Sequence, residues 1–160
     1  MIYILIALTL ACALVASVLH LVVKDFRGKL VWDKTVNSER DGLPVLYIKN
    51  LFHWRGRRID FHKIIYPDPW ECFHSHPANA IRVVVFGGYS EEYYDGHIVN
   101  RKPGHIGLVR HSDVHRINRL LSECPSYSLW FRGKVRHQTQ LRGTGWPIEL
   151  QDTWHGSSEQ

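Results

Sequence analysis

The segment Glu71-Cys72-Phe73-His74-Ser75-His76-Pro77 concentrates the residue types in this chain best suited to chemistry. Side chains two apart on a β-strand share a face, so an extended segment would point Cys72, His74 and His76 the same way. Two imidazoles spaced in this manner can serve as adjacent ligands of one ion. A third imidazole from a neighbouring strand would complete one face of an octahedron, leaving positions open for substrate or oxygen. Eleven His in 160 residues supply candidates for that third ligand. Cys72 shares the face, but a buried free Cys more often packs than ligates. Arg82, Arg110 and Arg116 are candidates to clamp a carboxylate through bidentate hydrogen bonds. The alternative for each is a solvated exterior, and Arg116 is assigned to it. Tyr89 and Tyr93 share a strand face, either as pocket residues or as aromatic core. Tyr89 and Arg110 stand as the catalytic candidates. No nucleophile elbow or P-loop pattern occurs, so hydrolase and nucleotide-binding readings have no support.

Ligands held this way need strands, and the chain offers them after Gly42-Leu43-Pro44. Period-two alternation marks nine candidate segments: Val45–Lys49, Arg58–Ile65, Glu71–His76, Ile81–Phe86, Ser90–Tyr94, His97–Arg101, Gly107–Arg110, Val114–Leu120 and Tyr127–Arg132. Trp54-Arg55-Gly56-Arg57 and Tyr94-Asp95-Gly96-His97 place Gly where a tight hairpin wants positive φ. Pro67-Asp68-Pro69, Pro77, Gly87-Gly88 and Pro103-Gly104 break the chain at similar intervals. Many short strands at this spacing argue an all-β antiparallel sandwich or barrel.

The N-terminus is different in kind. Residues 2–23 contain no charged side chain, and as a helix they would reach about 33 Å, the thickness of a hydrocarbon core. A cleaved leader would need a basic residue ahead of the apolar run, and there is none, although Ala11-Cys12-Ala13 offers small residues. The run is therefore read as an uncleaved transmembrane anchor. Lys24, Arg27 and Lys29 follow it, so the positive-inside rule puts Met1 outside and the folded body in the cytoplasm. Three cysteines without regular spacing make no disulfide framework, in keeping with a reducing compartment. A net charge of +5 raises nucleic acid as a partner. Because the basic residues are dispersed, that partner is disfavoured. Ala7, Ala11, Ala13 and Ala16 could pack against a helix of a membrane-protein partner.

The stretch from His74 to Asn118 resembles the two motifs of the cupin superfamily. His74 and His76 match the His-x-His pair, Gly88 the following glycine, Pro103-Gly104 the opening of the second motif, His115 its histidine and Asn118 its asparagine. Over roughly Val45 to Trp146 the chain is similar to small, uncharacterised bacterial and phage cupin-like proteins with a His-x-His-Pro centre. The matching residues include Gly87-Gly88-Tyr89 with Glu91, Arg110, His115-Arg116-Ile117, Ser128-Leu129-Trp130-Phe131 with Gly133, and Gly145-Trp146. This resemblance implies a double-stranded β-helix, or jelly-roll barrel, with metal ligands His74, His76 and His115. His105 and His111 are read as surface or hairpin residues, with His111, four positions before His115, the alternative third ligand. The superfamily's usual Glu ligand would fall at Ala80 or Ile81, neither of which can bind metal.

The implied set of three histidines and water is similar to that of the thiol dioxygenase branch. Its neutrality leaves a divalent ion its full charge and favours a small anionic substrate. Fe(II) suits such a site, and Zn, Ni, Cu or Mn also fit imidazole donors. The expected organisation is a transmembrane anchor over 1–23, a connector over 24–43, the barrel over 44–150 and a flexible tail over 151–160. The expected function is a membrane-tethered, dioxygenase-like oxidoreductase. Its alternatives are a non-catalytic module for ligand sensing or docking, and a sugar isomerase or epimerase. The last would need a general base, and no carboxylate is evident on the metal-facing strands.

Overall fold

The computed structural model describes residues 1–38, 41–145 and 154–155, and divides the chain into two units, Met1–Trp32 and Asp33–Gln160. The first unit is helix α1 (Ile2–Phe26) and the short segment after it. The helix ends because Gly28, at φ 64, takes the left-handed conformation that a Cβ disfavours. The Gly28 amide then donates to the Asp25 carbonyl and the Lys29 amide to the Lys24 carbonyl, a Schellman closure.

Among the described residues, no helix is long and apolar enough to cross a membrane. The expected single-pass anchor, with Met1 outside and the barrel in the cytoplasm, is thereby overturned. Freedom from charge is a weaker property than sustained apolarity. Thr9, Ser17 and His20 fall inside the uncharged run, and α1 carries on through Lys24 and Asp25. The Thr9 and Ser17 hydroxyls turn back to donate to the Leu5 and Ala13 carbonyls. Val18 and Val22, one turn apart, are buried.

The second unit is two six-stranded sheets in which every pairing is antiparallel. Its strands are β1 (Lys34–Asn37), β2 (Pro44–Trp54), β3 (Arg57–Ile64), β4 (Phe73–His74), β5 (Ala80–Phe86) and β6 (Tyr89–Tyr93). They continue as β7 (Ile98–Arg101), β8 (Ile106–Val109), β9 (His115–Leu120), β10 (Ser126–Arg132), β11 (Thr139–Arg142) and β12 (Trp154–His155). One sheet runs β1-β2-β3-β10-β5-β8 and the other β12-β11-β4-β9-β6-β7.

All nine expected strands are present. Strand β1, inside the expected connector, has only Val36 to mark it and is an edge strand completed by pairing with β2. Asp33 anchors its start, accepting from Lys49 Nζ at 2.7 Å and from the Asn50 amide at 2.8 Å. Strand β12 pairs with Thr139 and Gln140, so pairing continues past residue 150. Of the expected barrel end and tail, 146–153 and 156–160, Trp146 included, lie outside the described residues.

The Gly87-Gly88 turn carries the chain from one sheet into the other. Both residues have positive φ, and a Cβ would come within 2.6 Å of the Pro125 carbonyl oxygen at Gly87 and 2.7 Å of the Arg101 carbonyl oxygen at Gly88. Between the sheets, Ile64, Val84 and Tyr89 form a core that Leu46, Ile117 and Leu120 extend. Ala80, Val109 and Trp130 form a second core cluster.

His62 on β3 is buried against Trp130, its ring stacked at a centroid separation of 5.0 Å. Burial, helped by the charges of Arg132 and Arg58, lowers its pKa to about 3. The unfolded chain protonates this imidazole below about pH 6.5, whereas the folded chain excludes the proton until about pH 3. Its contribution to stability is therefore complete above pH ~6.5 and is lost by up to about 1.4 kcal/mol per pH unit as pH falls below it. Urea midpoints measured between pH 7.5 and 5 should fall with pH, and His62→Phe should flatten the curve. An identical slope in the variant would show that His62 titrates normally in the fold.

Candidate metal centre

Strand β4 places the first histidine. His74 sits between two strands, with Leu141 of β11 as its partner on one side and His115 of β9 on the other. Ser75, between the two motif histidines, is held by β11: its amide donates to the Gln140 carbonyl and its Oγ accepts from the Gln140 amide, both at 2.9 Å. Pro77 ends the extended run, and its carbonyl accepts from the Arg136 amide. His115 opens β9 opposite Tyr93 of β6.

The strand is shorter than the sequence suggests. Glu71 has φ 56, and the Cys72 amide donates to the Pro69 carbonyl, so a turn precedes Phe73. Cys72 is 1% exposed and is absent from both the histidine cluster and the cavity wall beside it.

The imidazoles of His74, His76 and His115 converge. Their ring centroids lie 5.3, 5.4 and 5.0 Å apart, and His76 Nε2 is 3.0 Å from His115 Nε2. One nitrogen from each of the three lies within 4.8 Å of the others. Two nitrogens 3.0 Å apart can share an ion at metal–nitrogen lengths of about 2.0–2.1 Å. Burial, and then the neighbouring imidazoles and arginines, hold the His76 and His115 pKa values well below the ordinary histidine range. Neutral imidazoles keep the lone pairs that a divalent cation needs. Donor type and separation, with the protonation of His76 and His115, fit one metal ion.

Two carboxylates flank the cluster, and the sequence reading passed over both. Asp68 Oδ2 lies 3.9 Å from His74 Nδ1 and accepts from the Ile117 amide at 2.6 Å. Loss of water around Asp68 raises its pKa, against the opposing pull of His74. Glu91 Oε1 lies 3.8 Å from His115 Nδ1, a buried nitrogen with no hydrogen-bond partner among the described residues. Burial alone would raise the Glu91 pKa, but Arg82 and Arg101 overcome it and hold the carboxyl below its usual range. Arg82 donates to both Glu91 oxygens and Arg101 Nε to Oε2 at 2.7 Å. Glu91 could have been found from its place between Tyr89 and Tyr93, sharing their inward face. Asp68 sits in the Pro67-Asp68-Pro69 turn, where no periodicity marks it.

A cavity of about 230 Å³ opens beside the cluster, and His62, Asp68, Tyr89 and Glu91 help to line it together with the three histidines. Tyr89 is 1% exposed, with the Arg82 guanidinium 5.4 Å from its ring centre. Arg110 is exposed and is not among the lining residues. Arg116, expected in solvent, is 2% exposed instead, bonded to Glu92 Oε2 at 2.5 Å and lying over the Trp70 ring. Tyr93 accepts a hydrogen bond from Arg101 at 2.8 Å and sets its ring edge-on to His115. His111 pairs with His137 and lies outside the histidine cluster. His105 contacts Arg101. Ala80 is buried and Ile81 is exposed, so the usual Glu position carries no ligand.

The chain matches no protein-family profile and no curated protein sequence. Its fold is similar to solved structures. A "putative mannose-6-phosphate isomerase" from Ralstonia eutropha is 20% identical at a TM-score of 0.52, covering 64% of this chain and 99% of that one. Fe(II) HppE is 11% identical at a TM-score of 0.52, covering 62% of this chain and 56% of that one. An uncharacterised Klebsiella pneumoniae protein with a double-stranded β-helix domain is 14% identical at a TM-score of 0.48, covering 61% and 84%. At these identities the first two likenesses show the fold alone, an all-β arrangement of two antiparallel sheets.

Proposed function

We propose that the chain binds one divalent metal ion through His74, His76 and His115. On this reading it is a dioxygenase-like, non-haem iron oxidoreductase acting on a small molecule with one anionic group. The observation that carries the reading is the meeting of three imidazole nitrogens within 4.8 Å beside a mainly apolar cavity. Fe(II) held there would supply oxygen activation, and Zn, Ni, Cu and Mn suit the same donors.

The chain's own residues have separate tasks. Three neutral imidazoles leave a cation's charge uncompensated, which draws in an anionic headgroup. Glu91, pinned by Arg82 and Arg101, faces His115 Nδ1 and favours the tautomer that presents Nε2 to the ion. Asp68 stands in the same relation to His74. The buried ring of Tyr89 helps to shut water out.

Asp68 favours a second reading, acid–base isomerase or epimerase chemistry. Its pKa is raised and its carboxyl lines the cavity, as a general base requires. Oxygen consumption separates the two readings: the first needs it, and the second proceeds without it and fails in Asp68→Asn.

Full-length protein purified without chelators and offered Fe(II) anaerobically should retain one ion per chain, and nitric oxide should perturb its spectrum. His76→Ala should abolish stoichiometric binding, while Cys72→Ser should leave metal content unchanged. Glu91→Gln should weaken metal affinity by about 10–100-fold, the usual effect of removing a residue that orients a histidine ligand. Failure to retain Fe(II), Zn(II), Ni(II), Cu(II) or Mn(II) would end the enzyme reading.

A further inference from the structure

The composition of the cavity wall limits what the site can hold. The wall is mainly apolar: Val36, Val45, Leu46, Ile64, Ile117 and Leu141 line it, with Trp130 and Tyr89 adding aromatic faces. No Lys or Arg is among the lining residues described. The arginines whose charges act on the cluster are already committed, since Arg82 and Arg101 both bond to Glu91 and Arg132 bonds to Asp60. A second anionic group, phosphate or carboxylate, lying away from the metal would therefore enter without a cationic partner and lose its hydration uncompensated.

Polyhydroxylated molecules meet a related difficulty. A sugar needs a donor or acceptor for nearly every hydroxyl, or each desolvated hydroxyl is left unpaired at a cost of about 1–3 kcal/mol. Here Asp68 and Glu91 stand against His74 and His115. Asn37, Ser38 and Thr139 add only small neutral groups. His62 Nε2 and the Tyr89 hydroxyl are buried without a hydrogen-bond partner among the described residues. Size is a further limit: about 230 Å³ is below the ~300–1,000 Å³ typical of drug-sized ligands.

The geometry points to a substrate class, resting on the metal reading above: a short, mainly apolar molecule with a single metal-ligating anionic head. The head lies at the three histidines and the hydrocarbon body lies against the aliphatic wall. His62 Nε2 and the Tyr89 hydroxyl, both on lining residues, are the further polar contacts, suited to a lone hydroxyl or carbonyl on that body. Sugars, sugar phosphates and dicarboxylates are excluded by the same wall.

Binding can be read without turnover. Full-length protein loaded with Co(II), whose visible spectrum responds to entering ligands, is titrated with acetate, butanoate, hexanoate and gluconate. Affinity should rise from acetate to hexanoate by up to about fourfold per methylene, the transfer free energy of a buried CH₂. Gluconate has the same carboxylate and as many carbons as hexanoate, and it should bind no more tightly than acetate. Leu46→Asn should weaken hexanoate at least fivefold more than it weakens acetate. Equal affinities across the four anions, or tightest binding of gluconate, would overturn the substrate class and leave the metal site standing. Protein that takes up no Co(II) would overturn the metal reading, and this inference with it.

Discussion

A glutamate buried between two arginines joins the two sheets at the point where the site is built. Arg82 belongs to the sheet containing β5, whereas Glu91 and Arg101 belong to β6 and β7 of the other. Arg82 and Glu91 are each 1% exposed, so neither charge can be satisfied by solvent. Burying such a pair is favourable only when geometry and extra hydrogen bonds offset the desolvation of both ions, and removing one partner is strongly destabilising. The second arginine provides that excess of bonding on Glu91. The sheets are thereby held in the one alignment that keeps all three groups paired.

That alignment determines what stands beside the histidines. Glu91 comes within reach of His115 Nδ1 because Tyr93, two residues on, is the register partner of His115. His74 is brought to the same place from the other direction, as the β4 partner of His115. His76 follows because Ser75 is tied to Gln140 on the neighbouring strand. Apolar side chains from both sheets enclose the space left over. Polarity is thus concentrated against the ligand cluster, where a bound ion has most effect on chemistry.

Much of this was legible in the sequence because it depends on local pattern. Alternation marked nine strands, Gly87-Gly88 marked a break between two of them, and His-x-His marked two imidazoles near enough to cooperate. What remained hidden depends on pairing at long range. Strands β1 and β11 are recognised by their partners more than by their own residues. The turn at Glu71 removed Cys72 from the histidine face, although simple alternation kept it there. Arg116 looked like a surface residue until Glu92 and Trp70 were seen to bury it. Glu91 looked like an ordinary strand residue because its two arginine partners are on other strands, where alternation along its own strand does not reveal them. For α1, absence of charge was taken for enough apolarity to span a bilayer, and the described helix does not meet that standard.

The central claim is that three imidazoles, and no other protein side chain, ligate a metal ion in this fold. X-ray absorption at the metal edge of full-length protein loaded with Zn(II) or Fe(II) tests this most directly. The account predicts three imidazole shells at metal–nitrogen distances of about 2.0–2.2 Å, the remaining scattering coming from water or added anion oxygen. A sulfur shell near 2.3 Å would assign Cys72 as a ligand. Either that result or an all-oxygen sphere with no imidazole scattering would contradict the account.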